Sequence, residues 1–82
     1  MRIDDFLSSV GIIKRRTVAK DMGSSGLLEI NGQRVKPAHE VSVGDVIRIK
    51  GSRPMVLEVL AVPTRSVSRA ERETYFKILP VT

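Results

Sequence analysis

The residues of this chain best equipped for chemistry are cations gathered in one short run. Lys14-Arg15-Arg16-Thr17 is followed one turn later by Lys20. Read as a helix from about Lys14 to Met22, the segment places Arg16 and Lys20 four residues apart on one exposed stripe. Arg15 points nearer the apolar side, yet its long stem can swing outward from the first turn. Positive charge at a helix start opposes the dipole, so helix stability does not account for this run. An anionic partner does, because the free N–H groups of a helix start favour phosphate. The alternative is that Arg16 and Lys20 are consumed in pairs with Asp21, Asp4 or Asp5, exposed pairs that typically stabilise by about 0–1 kcal/mol. Further on, Arg34 and Lys36 follow a tight turn. If that hairpin packs beside the helix, the two basic sets converge. Arginine suits phosphate forks and stacking on unpaired bases.

Other chemistries find little support. There is no cysteine, which excludes disulfides, thiolate nucleophiles and cysteine-based zinc sites. The single His39 lies beside Glu40 in an expected loop, and one such pair is weak ground for acid–base catalysis. No phosphate-cradling loop of the Walker type and no metal-ligand cluster occurs, and Gly23 and Gly26 read as a helix terminus. The expectation is a non-catalytic protein with no cofactor and no small-molecule substrate. With Phe6, Tyr75 and Phe76 as the aromatic set, single-strand stacking is disfavoured.

Net charge is +5, which favours a polyanionic partner over a bare solvated surface. Two basic blocks, residues 1–20 and 31–53 at +3 each, flank an acidic joint at 21–30, and the tail is close to neutral. No apolar run approaches the roughly 20 residues that cross a bilayer, and the N-terminus does not read as a secretory signal. A cytoplasmic protein without a membrane partner is expected.

These residues need positioning elements. Eighty-two residues suit one domain, which at this size buries only about 60% of its unfolded surface. Ile3, Phe6, Leu7 and Val10 recur at helical spacing, with Asp4 and Asp5 at the dipole's positive end and Gly11 as a stop. Helix one is therefore about 2–10. In helix two Val18, Ala19 and Met22 form a small inward face. Residues 27–30 and 33–35 read as strands around Asn31-Gly32, the pair that best accepts a type I′ hairpin turn. Val41 to Asp45 reads as a loop turning at Gly44-Asp45. Residues 46–50 alternate Ile47 and Ile49 against Arg48 and Lys50, a strand with a basic outer face. Met55 to Val62 is another strand. It sets Val56 and Glu58 against Leu57 and Val59, and Pro63 ends it. The interspersed charge of 64–76 suits a short surface helix or a long loop. Residues 75–79 could add a last strand. The class is α+β, with two N-terminal helices on a small antiparallel sheet. Residues 1–53 form the core, and a strand and extension over 54–82 complete the same domain.

The run from Lys14 to Lys20, then Gly26, Ile30-Asn31-Gly32-Gln33-Arg34-Val35-Lys36-Pro37, Val41 and Val43-Gly44-Asp45-Val46-Ile47 resembles the S-four RNA-binding domain, named after small-subunit ribosomal protein four. Arg2-Ile3-Asp4 with Phe6-Leu7 is similar to that domain's first helix. The resemblance covers residues 1–50 and implies the alpha-L RNA-binding motif, two packed helices followed by a bent sheet. It implies that RNA is held by the second helix and the hairpin side. Arg2, Lys14, Arg16 and Lys20 match basic positions of the motif, whereas Asp5 stands where many members carry lysine. Asn31 and Gly32 match its turn, in a structural role. Arg2, Lys14, Arg15, Arg16, Lys20, Arg34 and Lys36 are the expected RNA contacts. In length and order the whole chain is similar to stand-alone members that bind obstructed large ribosomal subunits carrying peptidyl-tRNA. The implied partners are large-subunit rRNA, tRNA and the large subunit, engaged by a monomer that supports tailing of a stalled nascent chain. The alternative is a general structured-RNA factor, or a heat-shock-type recycling factor without a tailing role.

Overall fold

Four apolar side chains at helical spacing, Ile3, Phe6, Leu7 and Val10, are all buried along α1 (Ile3–Ser9) and at its C-cap. In the computed structural model, which describes residues 1–81, this helix lies over one face of the sheet. Its entry is fixed by backbone bonds to a later loop: the Ile3 N–H donates to the His39 carbonyl (2.7 Å) and the Val41 N–H to the Met1 carbonyl (3.0 Å). Gly11, at φ +76°, turns the chain out of the helix, a conformation an L side chain resists.

α2 spans Arg16–Ser24, with Arg15 as an extended N-cap. The expected start at Lys14 is therefore two residues early. Ile12 and Ile13 pack partly buried against the core and the Ile13 N–H bonds the Leu7 carbonyl. Those contacts hold the joint out of helical geometry until Arg15. A second correction concerns Val18, which is 45% exposed rather than inward. The contact stripe is carried by Ala19 and Gly23, both buried, with Met22 partly buried beside them. Side chains this small make the stripe narrow, and Val18 falls outside it.

Five antiparallel strands follow, in the order β2-β1-β3-β4-β5. β1 (Leu28–Ile30) and β2 (Gln33–Arg34) are joined by Asn31 and Gly32. These two adopt φ +52° and +84°, as the type I′ reading requires. The turn is pinned from outside. Asn31 Nδ2 donates to Asp45 Oδ1 (3.2 Å), the Val46 N–H donates to Asn31 Oδ1 (2.9 Å), and the Ser42 N–H donates to Asp45 Oδ2 (2.8 Å).

β3 (Val46–Ile49) pairs with β1 on one side and with β4 (Met55–Val59) on the other. β4 is shorter than expected because the Leu60 and Ala61 N–H groups turn to the Tyr75 carbonyl. Residues 64–76 contain a six-residue 3₁₀ helix, Arg69–Thr74, which leads into β5 (Phe76–Leu79) along β4. Leu28, Ile30, Ile47, Ile49, Leu57 and Val59 form the sheet's core face under the helices. The opposite face carries Glu29, Arg34, Arg48, Glu58 and Lys77, as strand alternation and register dictate. Val56 lies on that outer face yet is buried, between its cross-strand neighbours Arg48 and Leu79.

Candidate nucleic-acid interface

The opening of α2 faces the first turn of α1, which carries Asp4 and Asp5. Asp4 is fully buried. It accepts from Arg2 through both oxygens, Nε to Oδ1 at 3.1 Å and Nη2 to Oδ2 at 2.9 Å, and its Oδ1 also accepts the Asp5 N–H at 2.8 Å. A buried carboxylate is tolerable only with such partners. Arg16 Nε lies 2.8 Å from Asp5 Oδ1 and 3.8 Å from Asp4 Oδ2. The intramolecular pairing weighed from the sequence therefore occurs for Arg16, through Asp5 and more distantly Asp4. It does not bury the arginine, whose side chain stays 53% exposed. Planar guanidinium forks tethered on one edge keep donors free on the other.

Arg2, Arg16, Thr17 and Lys20 line one cleft of about 280 Å³. Lys20, Lys14 and Arg15 are exposed and enter none of the ion pairs among the described residues. Arg2, Arg16 and Lys20 thus surround a shallow opening with two carboxylates behind it. Such a cleft offers phosphate several charge-assisted bonds.

Arg34 and Lys36 do not join this group, which corrects the expected convergence. They line a second groove of about 570 Å³ with Gly23, Ser24, Ser25, Gly26, Val35 and Pro37. The reason is topological. β1 leaves from the C-terminal end of α2, and a two-residue β2 is too short to run back along a nine-residue helix rising 1.5 Å per residue. Helix and hairpin close on each other tightly there. A Cβ built on Gly23 would meet Pro37 Cγ at 2.7 Å, and one on Gly26 would meet Arg34 Cδ and Nε at 3.2 Å and Cζ at 3.3 Å.

Sequence reasoning left two features unmarked. On the outer sheet face Glu29 pairs with Lys50 and stands across the strands from Arg34 and Arg48. The Lys50 hydrogen bond first, then the charges of Lys50, Arg48 and Arg34, hold its carboxyl below the ordinary value against partial desolvation. Alternation had marked the basic face of β3, but the cross-strand partner required the register. The second feature is Arg72, whose side chain lies against Gly11 so closely that a Cβ there would sit 2.8 Å from Nη1. No local pattern signals a contact between residues so far apart in sequence.

Comparison with known proteins bears on the family and the fold. The S4 domain family model matches residues 1–47. A protein of Helicobacter pylori strain J99 named RQC P-site tRNA stabilizing factor is 43% identical over the whole chain and 98% of its own length. Among solved structures, a hypothetical protein determined in solution superposes with a TM-score of 0.84 at 34% identity over the full length of both chains. The trimeric heat shock protein 15 of Vibrio cholerae superposes with a TM-score of 0.86 over 96% of this chain and 81% of its own. At 24% identity that second likeness speaks to the fold.

Proposed function

The chain belongs to the S4 domain family, among the RQC P-site tRNA stabilizing factors, and from that premise we propose that it holds tRNA on large ribosomal subunits whose nascent chain has stalled. It acts there as a binding protein rather than an enzyme, a cytoplasmic monomer that grips RNA without a cofactor. Its contacts are the phosphates of large-subunit rRNA and of peptidyl-tRNA. By steadying the tRNA it supports tailing of the stalled chain. Arg16 and Lys20 make the main backbone contacts, Arg2 adds a third cation to the cleft, and Lys14 and Arg15 extend the positive surface before the helix. Arg34 and Lys36 contact RNA from the hairpin side.

One observation carries this reading: a cluster of exposed cations at the first turn of α2, with Arg2 and Arg16 oriented by the carboxylates of α1. Cations at that helix end oppose the dipole, and a bound phosphate removes the conflict. The test is co-sedimentation with purified large subunits that carry or lack peptidyl-tRNA. Binding that is strongest with tRNA retained is expected. A protein that stays at the top of the gradient with both kinds of subunit would refute the assignment. Cells lacking the protein should in addition accumulate stalled chains without tails.

A further inference from the structure

The groove at the C-terminal end of α2 differs chemically from the phosphate-binding end, and we infer that it receives the base and ribose of one unpaired nucleotide. This inference rests on the RNA-binding reading above and adds a ligand class that the reading does not contain. A helix C-terminus carries partial negative charge, and Asp21 lies in the preceding turn. The helix end itself disfavours phosphate and attracts groups that donate hydrogen bonds, while Arg34 and Lys36 on the hairpin side of the groove carry positive charge. The Asp21, Met22 and Gly23 carbonyls already accept the Ser25, Leu27 and Gly26 N–H groups. The carbonyls and hydroxyls of Ser24 and Ser25 take part in none of the hydrogen bonds among the described residues. They line the groove as acceptors for a base amino group or a ribose 2′-hydroxyl, the group by which proteins distinguish RNA from DNA.

Arg34 supplies the second half of the site. Its Cδ, Nε and Cζ stand at nearly equal distance, 3.2–3.3 Å, from the position of a Cβ on Gly26. The side chain therefore passes broadside over Gly26 rather than pointing at it. Backbone supports one side of the guanidinium plane, and the residue is exposed on the other. A supported guanidinium plane is a stacking surface for an unpaired base. A volume of about 570 Å³ falls within the range of ligand pockets. Lys36, which lines the same groove, supplies the charge for the phosphate of the same nucleotide. Gly26, at φ +77°, keeps the platform low, and the tight fit of Gly23 on Pro37 fixes the floor.

The experiment uses the full chain and a labelled RNA hairpin with a single bulged nucleotide. Four versions carry A, C, G or U in the bulge, a fifth is abasic there, and a sixth has a 2′-deoxy bulge. At least one of the four bases should bind about fivefold or more tighter than the abasic version, the lower end of a stacking contact. Arg34→Lys keeps the charge and removes the plane, so it should retain the salt dependence of binding and lose the abasic discrimination. Ser24→Ala/Ser25→Ala should shrink the 2′-deoxy penalty by the share the hydroxyls carry, leaving the share accepted by the backbone carbonyls. Arg16→Ala should weaken all six RNAs alike. Equal binding of all five bulges by the wild type, or full discrimination retained by Arg34→Lys, would overturn the groove while leaving the phosphate reading in place. No binding of any RNA by the wild type would overturn both.

Discussion

At its opening α2 presents Arg16 and, one turn on, Lys20 to solvent, with Asp5 and the buried Asp4 behind Arg16. At its last turn, about 12 Å along the axis, it presents serine hydroxyls, glycine backbone and the side of Arg34. The same helix thus joins a cationic cleft backed by carboxylates and tied through side chains to α1 to a groove of serines, backbone and the hairpin's Arg34 and Lys36, closed by tight contact with the hairpin. The lesson is that a basic domain need not use one uniform surface. The side chains at the helix opening work against the local dipole and suit an anion beyond the carboxylates behind them. The groups at the helix end work with the local dipole and suit a donor.

The comparison breaks most visibly at Arg16. Arg16→Ala should lower affinity for RNA or tRNA-bearing large subunits at least tenfold, the scale of one charge-assisted bond, and flatten the salt dependence by about one unit of slope. The thermal midpoint should move by only a few degrees, because the pair it loses is half exposed. A collapse of the midpoint would make Arg16 a structural residue. Next in size is Gly23→Ala, which disturbs the other end alone. Its Cβ would press on Pro37 at 2.7 Å, and overpacking of this kind costs about 1–3 kcal/mol, read by urea unfolding. An unchanged urea midpoint would show that the helix–hairpin contact is slack.

Asp5→Ala sharpens the contrast in the opposite direction. Freed from its carboxylate at 2.8 Å, Arg16 should bind phosphate more readily, by no more than about fivefold given the modest strength of exposed pairs. Weaker binding would mean that Asp5 serves chiefly to aim the arginine. The smallest effect belongs to a site remote from both ends. The depressed carboxyl of Glu29 contributes stability above its unfolded value of 4.5, and that contribution is lost as pH falls through the lower folded value. Unfolding midpoints of wild type and Glu29→Gln should therefore converge as pH drops below about 4.5, and RNA affinity at neutral pH should match in the two. A gap that widens in acid would reverse the sign assigned to the Lys50 pair.

Much of this was legible where cause and effect lie close in the chain. Asn31 and Gly32 announced their turn through backbone preference, and Ile47 and Ile49 announced the buried face of β3 through alternation. The cations of α2 were legible as a conflict with the dipole. The start of α2 was misplaced because Ile12 and Ile13 dock on the core, which propensity does not see. Whether Arg34 and Lys36 converge with the helix cations is conditional on packing, because the length of β2 decides how far the hairpin reaches. The pairing of Arg16 with Asp5 was one of several alternatives the sequence offered, and nothing local could choose among them or pick Asp4 over Asp5 as the buried carboxylate.

The seat of Arg72 on Gly11 has a mechanical consequence. It bolts the last third of the chain to the exit of the first helix, while β5 zips the same segment to the sheet edge. Its Nε is buried without a hydrogen-bond partner, so the fastening relies on packing rather than polar attachment. Residues 69–79 therefore behave as a buttress. Trimming them would loosen the joint at Gly11, and with it the angle at which α2 meets whatever it grips.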